Sequence, residues 1–255
     1  MLALRRRIQI AISVVKQGSK ALGDMKLLLL FPLIPFIFLA GYFVIWLYGA
    51  LWIYSVKNEV SVATPNDVQY TSLSIRTSHP ENSVDLETDE QWQYYFLFHL
   101  FHLLWLCSFC IYFNFLTSAG ATADWYFSRW DEKGNKIRGK GDDELPSSPI
   151  LQSCKRTCRY HLGTIALCSL IIAIVQMIRI MVEYLEKQSK QSGNKIQKAL
   201  FCVVRCCLKC LECCLDKVNK NALIWTAIYG NNFAVAACSS FQLLWSNMGR
   251  VAAIN

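Results

Sequence analysis

Six of the 12 cysteines in this 255-residue sequence fall between Cys202 and Cys214, and Cys202, Cys206, Cys210 and Cys214 recur at every fourth position. On a helix that spacing lines the thiols up in one stripe. Cys207-Leu-Lys-Cys210 and Cys210-Leu-Glu-Cys213 have the form of zinc half-sites. Structural zinc, however, pairs two such halves across a loop, often with histidine, and this region has no histidine, so no metal is expected. A redox CxxC belongs to a thioredoxin-like βαβ setting, which the region does not offer. Cys206, Cys207, Cys210, Cys213 and Cys214 remain candidates for reversible S-acylation at a membrane edge. The plainest reading is cysteine as a small hydrophobe coating an apolar helical face.

The ionisable residues within apolar runs are few. Arg179 and Glu183 stand at i and i+4 and can pair on one helix face. Inside a span such a pair is a functional-site candidate; at the interface it is a snorkelling arginine with its partner. His161 heads the same run, and these three residues make up the proton- or ion-coupling candidates. His99 and His102, at i and i+3, could relay protons, but two histidines without a third ligand fit interfacial packing better. The chain also holds eight Trp, 11 Tyr and 14 Phe. Trp46, Tyr48 and Trp52 crowd the end of one apolar run, and Trp105 and Tyr112 follow helical spacing in another. Aromatic faces attract quaternary ammonium groups, which makes these five the substrate-binding candidates. The same residue types also belt membrane proteins at the interface. No Gly-x-Ser-x-Gly, P-loop, His-Glu-x-x-His or Asp-His-His-Cys string occurs, so the chain is read as a non-enzyme with no catalytic residue and no cofactor.

The elements that must carry these residues follow from the charge distribution. Charged residues make up only 17% of the chain, against about 25% in an average globular domain. Thirty consecutive residues, 27–56, and 33 more, 91–123, contain no Asp, Glu, Lys or Arg. About 20 apolar residues in a helix cross the ~30 Å hydrocarbon core, so either stretch could span it. The pattern excludes a soluble enzyme, a secreted disulfide mini-domain and a disordered protein. It predicts an all-α polytopic transmembrane helical bundle with three spans, 27–53, 94–118 and 160–185, and one or two further crossings left open. Residues 1–26 carry six Lys/Arg, and Ile8, Ile12, Val15 and Leu22 fall near helical spacing. This segment reads as a basic amphipathic interfacial helix, not a signal peptide, because the apolar run begins only at Leu27 and is too long. Counting Lys and Arg, six in 1–26, two in 54–90 and eight in 124–159, puts the N-terminus in the cytoplasm and the acidic loop 54–93 outside. Residues 119–159 read as a flexible cytoplasmic connecting loop. Residues 186–220 form a Cys-rich amphipathic segment, and 221–249 is a crossing or re-entrant helix. If the third span leads outward, the eight Lys/Arg and six Cys of 183–221 sit on the wrong side for the charge rule unless that segment also crosses. The net charge of +8 lies on membrane-flanking segments, so it points to lipid headgroups and not to nucleic acid.

Four strings then acquire meaning together: Leu4-RRRIQIAISVVKQGSKAL, Gly120-ATADWYFSR, Tyr160-HLGTIALCSLIIAIVQMIRIMVEYLE and Asn221-ALIWTAIYGNNF. Their order and wording, with the Cys-rich stretch between the last two, resemble the choline transporter-like family of solute carriers. The likeness covers nearly the whole chain outside the Gly/Lys-rich insert around Trp130–Leu145. It implies a multi-pass plasma-membrane carrier that moves choline, with ethanolamine as a second candidate, for phospholipid synthesis. It also implies a longer chain with more spans, of which this sequence is a fragment. The competing reading is a non-transporting membrane scaffold or regulatory fragment of such a carrier. No substrate motif of the family can be carried over residue by residue.

Overall fold

A computed structural model of the protein describes residues 2–56, 92–141, 143–189 and 195–246. Among them are eight helices and no strand: α1 (Leu2–Asp24), α2 (Leu27–Leu30), α3 (Leu33–Val56), α4 (Trp92–Phe127), α5 (Pro149–Tyr160), α6 (Leu162–Ser189), α7 (Lys195–Tyr229) and α8 (Phe233–Ser246). Three stretches of these residues, Leu27–Ser55, Trp92–Phe127 and Leu162–Gln188, are long and apolar enough to cross a membrane. The fold is therefore an all-α membrane bundle. The acidic loop expected at 54–93 falls mostly on residues 57–91, outside the described residues. The chain divides into two compact units, Gly41–Leu103 and the combination of Met1–Ala40 with Leu104–Asn255.

Several boundaries differ from the sequence expectation, each for a local reason. The first span is interrupted at Phe31-Pro32, since a proline has no amide to donate and its ring clashes with the preceding turn. The second runs on to Phe127 because its one acid, Asp124, is held by Arg156 of α5 at 3.1 Å. The stretch 119–159, expected as a flexible connector, instead contains the last turns of α4, a packed loop and α5. Pro149 starts α5 at a position where no amide donor is needed. Ile150, Ser153 and Thr157 then form its buried face, with the Ser153 hydroxyl donating to the Thr117 carbonyl of α4 at 2.8 Å. The loop is anchored by Lys136, whose ammonium donates to the carbonyls of Ser128 and Tyr126 and lies over Trp130 (4.0 Å) and Trp125 (4.9 Å). Burial pushes the Lys136 ammonium below its ordinary range. On the Trp130 ring also sits Lys20 of α1, at 3.9 Å.

The expected single helix at 221–249 is two. α7 ends at Gly230, which adopts φ +71°, a left-handed conformation that favours glycine. Asn232 then opens α8 by accepting from the Val235 amide at 3.0 Å. At 14 residues α8 is shorter than the about 20 needed to span.

In the larger unit, α4, α6 and α7 pack through Tyr112, Leu116, Ile165, Cys168, Ile172 and Leu223. Hydrocarbon gives apolar side chains little reason to prefer one another, so helices meet where small residues let backbones approach. Ala121, Ala173, Ala222 and Ala236 are fully buried. Gly120 is tighter still: a Cβ there would overlap the Ser153 hydroxyl and come within 3.0 Å of Arg156. Gly120→Ala is therefore expected to destabilise the α4–α5 contact by about 1–3 kcal/mol. Gly18→Ala, with nothing within 4 Å, should be neutral or stabilising by up to ~1 kcal/mol. Unfolding midpoints of the two variants in detergent check the contrast.

Candidate functional site

The polar residues of α7 that face inward form a seam along α6 and α4. Asp216 accepts the Tyr112 hydroxyl at 3.0 Å and pairs with Lys220 at 2.7 Å. One turn on, Asn219, fully buried, donates to the Tyr112 oxygen (3.4 Å) and to the Cys168 carbonyl of α6 (3.2 Å). One turn back, Glu212 accepts from Gln176 at 3.0 Å and pairs with Arg179 at 3.0 Å. Arg179 also meets Glu183 at 3.6 Å, so it lies between two carboxylates. At the far end Arg205 reaches Glu186 at 3.3 Å. Lys209 completes a 340 Å³ groove with Arg179, Glu212 and Asp216.

Charges at this density belong to a helix pair only if each is compensated, since an ion taken from water costs several kcal/mol unless it is paired and hydrogen-bonded. The seam meets that condition through reciprocal pairs. Its acids, Glu212 and Asp216, were not among the expected site residues. The signal was present in the sequence: on α7 the two acids stand four apart and fall between the cysteine positions, on the other helix face.

The expected residues separate into groups. Tyr112 is in the seam, and Arg179 and Glu183 are at its middle. Trp105, on α4, is fixed against α6 by its indole N–H, which reaches the Ser169 hydroxyl (3.1 Å) and the Ala166 carbonyl (3.3 Å). In the smaller unit, Trp46 is buried and stacked on His99 with ring centres 5.1 Å apart and planes at 4°. Its indole N–H donates to the His99 carbonyl while His99 Nε2 meets the Trp46 carbonyl, both at 3.0 Å. Tyr42 meets His102 Nδ1 at 2.6 Å. Both histidines thus serve helix packing. Tyr48 and Trp52 are 66% exposed on the same helix. Cys206, Cys207, Cys210, Cys213 and Cys214 are exposed and unbridged.

A second feature opens at the α4–α5 end, a cleft of 750 Å³ lined by Asp124, Ser128, Arg156, His161 and Thr226. His161 stands at the break between α5 and α6, ahead of the apolar stretch. Burial, and then the Arg156 guanidinium, lower its pKa from the ordinary value of 6.5, so the imidazole is neutral at physiological pH.

Comparison with known proteins places these features. The family model described as "Plasma-membrane choline transporter" matches residues 1–255, the whole chain. Choline transporter-like protein 2 of Xenopus laevis is 35% identical over 275 residues, a match that covers 100% of this chain and 37% of the relative. Choline transporter-like protein 5-B of Danio rerio is 34% identical, with 100% and 38% covered. Choline transporter-like protein 1 of Caenorhabditis elegans is 33% identical, with 100% and 33% covered. The chain thus spans 33–38% of the length of these curated relatives.

Two outcomes test the site geometry. A double-mutant cycle of Arg179→Ala and Glu212→Ala, read from unfolding in detergent, should give a coupling of about 0.5–3 kcal/mol, as for residues sharing one ion-pair network. In ¹³C-histidine spectra His161 should titrate below 6.5. Arg156→Gln should move that titration upward, because it removes the cation that disfavours the imidazolium.

Proposed function

Because the chain belongs to the choline transporter-like family, we propose that it supplies part of the translocating core of a plasma-membrane carrier for choline, with ethanolamine as a second substrate. The observation that carries this reading is the family match over all 255 residues. The chemistry of the seam supports it. A quaternary ammonium donates no hydrogen bond, so what holds it is anionic charge together with aromatic faces. Tyr112 and Asp216, in contact across α4 and α7, bring one of each together among apolar helices, and Trp105 lies two turns along α4 from Tyr112. These three are the residues we assign to substrate binding. Trp46, Tyr48 and Trp52 serve as a second aromatic set in the smaller unit. Arg179, Glu183 and His161 are assigned to ion or proton coupling: the first two share the Glu212 network and the third keeps a neutral imidazole at the cleft. The charge distribution supports a cytoplasmic N-terminus.

The test replaces the matched segment of Xenopus laevis Choline transporter-like protein 2 with residues 1–255 and measures uptake of labelled choline in cells expressing the chimera at their surface. Saturable uptake is expected, and Asp216→Asn or Trp105→Ala should lower it about tenfold or more, the equivalent of at least ~1.4 kcal/mol of lost binding. Background uptake by a surface-expressed chimera, or uptake indifferent to both substitutions, would count against the assignment.

A further inference from the structure

We propose that the trough between α1 and α4 binds one anionic phospholipid, with an acyl chain in the trough and the phosphate against the Lys20 ammonium. The two helices touch at one end only. Ala21 and Met25 pack with Trp125, whereas Ile10 and Val14, three and two turns before Ala21 on the same face of α1, are 53% and 55% exposed. The splayed part leaves a trough of 720 Å³ between Ile10, Val14 and Gly18 of α1 and Thr122 and Tyr126 of α4. That volume is within the about 300–1,000 Å³ of small-ligand sites. Gly18 keeps the trough clear, since nothing lies within 4 Å of the place a Cβ would take. Beside it, sharing Gln17, Trp125 and Tyr126, is a hollow of 500 Å³ bordered by Lys20 and Trp130.

The hollow is the cationic end. An ammonium has three N–H donors, and Lys20 meets the Trp130 ring at 3.9 Å and the Gly134 carbonyl at 3.3 Å, both neutral. Lys136 shares that ring at 4.0 Å and donates to the Ser128 and Tyr126 carbonyls, neutral again. The nearby acid Asp24 accepts the Trp125 indole N–H at 2.8 Å. Among the described residues no carboxylate is ion-paired with either lysine. Two ammonium groups on one indole thus lack a paired counter-ion, and a phosphate supplies one through charge-assisted hydrogen bonds. The surroundings select a lipid over a soluble anion. α4 arrives here as the end of a candidate span, with Tyr126 and Trp130 exposed in the manner of interfacial aromatics. α1 leaves Ile8, Ile12 and Val15 exposed as well, which suits a helix lying at the boundary of headgroups and acyl chains. A phospholipid from that layer has both parts the two connected spaces require. A net negative head is favoured, because the trimethylammonium of a zwitterionic one would meet Lys20 and Lys136.

Native mass spectrometry of the full chain in detergent, titrated with phosphatidylserine or phosphatidylcholine of identical acyl chains, tests the proposal. One phosphatidylserine should bind about fivefold more tightly than phosphatidylcholine, the advantage one lysine gives at an anionic lipid. Lys20→Gln should remove most of that preference and Lys20→Arg should keep it. Gly18→Phe fills the trough from the α1 side and should weaken both lipids several-fold, whereas Gly18→Ala should leave both affinities as they are. Equal affinities in the unaltered chain, a preference that survives Lys20→Gln, or undiminished binding to Gly18→Phe overturns the proposal. So does a dimer of the chain that Gly18→Phe dissociates, which would make a second copy the occupant. Lys20 is exposed, so its two variants give the answer even where Gly18→Phe fails to fold.

Discussion

The joint at Asp216 sets the arrangement of the larger unit. Asp216 accepts the Tyr112 hydroxyl of α4 and pairs with Lys220 of its own helix, and Asn219 of α7 donates to that same hydroxyl oxygen and to the Cys168 carbonyl of α6. Apolar contacts around it, among Leu116, Ile165, Ile172 and Leu223, could be made almost as well in another register, since lipid tails and leucines are equivalent surroundings. The polar groups cannot slide, because each would lose its partner where water is scarce, at a cost of about 1–3 kcal/mol or more. Register among the three helices is therefore fixed by a handful of polar atoms, and small residues permit the approach these atoms require. The ion pairs farther along α7 follow the same register.

Much of this was legible in the sequence. The charge-free runs located three spans, because a bilayer imposes a length requirement that composition reports directly. Less legible was whatever depends on pairing. Asp124 looked like the end of a span, yet α4 continues past it because Arg156 lies opposite. α5 was hidden in a stretch of mixed charge whose Gly and Pro residues suggested a loop, although Pro149 and the spacing of Ile150, Ser153 and Thr157 were helix signals. Gly230-Asn-Asn232 contained both a helix stop and a helix start. The surrounding run is uncharged, and hydropathy does not register caps.

The candidate site was legible in part for the same reason. Arg179 and Glu183 stood out as charges in an apolar helix, and Tyr112 as one aromatic in a helical series. Their partners Glu212 and Asp216 lie in a segment with enough lysines to look solvated, and only the packing of α7 on α6 shows which face they occupy. The cysteines are the more unusual residues of α7, whereas its inward face holds the polar network.

The stack of Lys20, Trp130, Lys136 and Trp125 bears on how aromatic wealth is to be judged. Two of the eight indoles already have their π-clouds engaged by the chain's own ammonium groups, and Trp125 further donates its N–H to Asp24 at 2.8 Å. An amine arriving from outside would have to evict an intramolecular tenant that enjoys a large entropic advantage. Ring counts consequently overstate the capacity of such a protein to recognise cations, and only indoles not spoken for by a resident lysine belong in the tally.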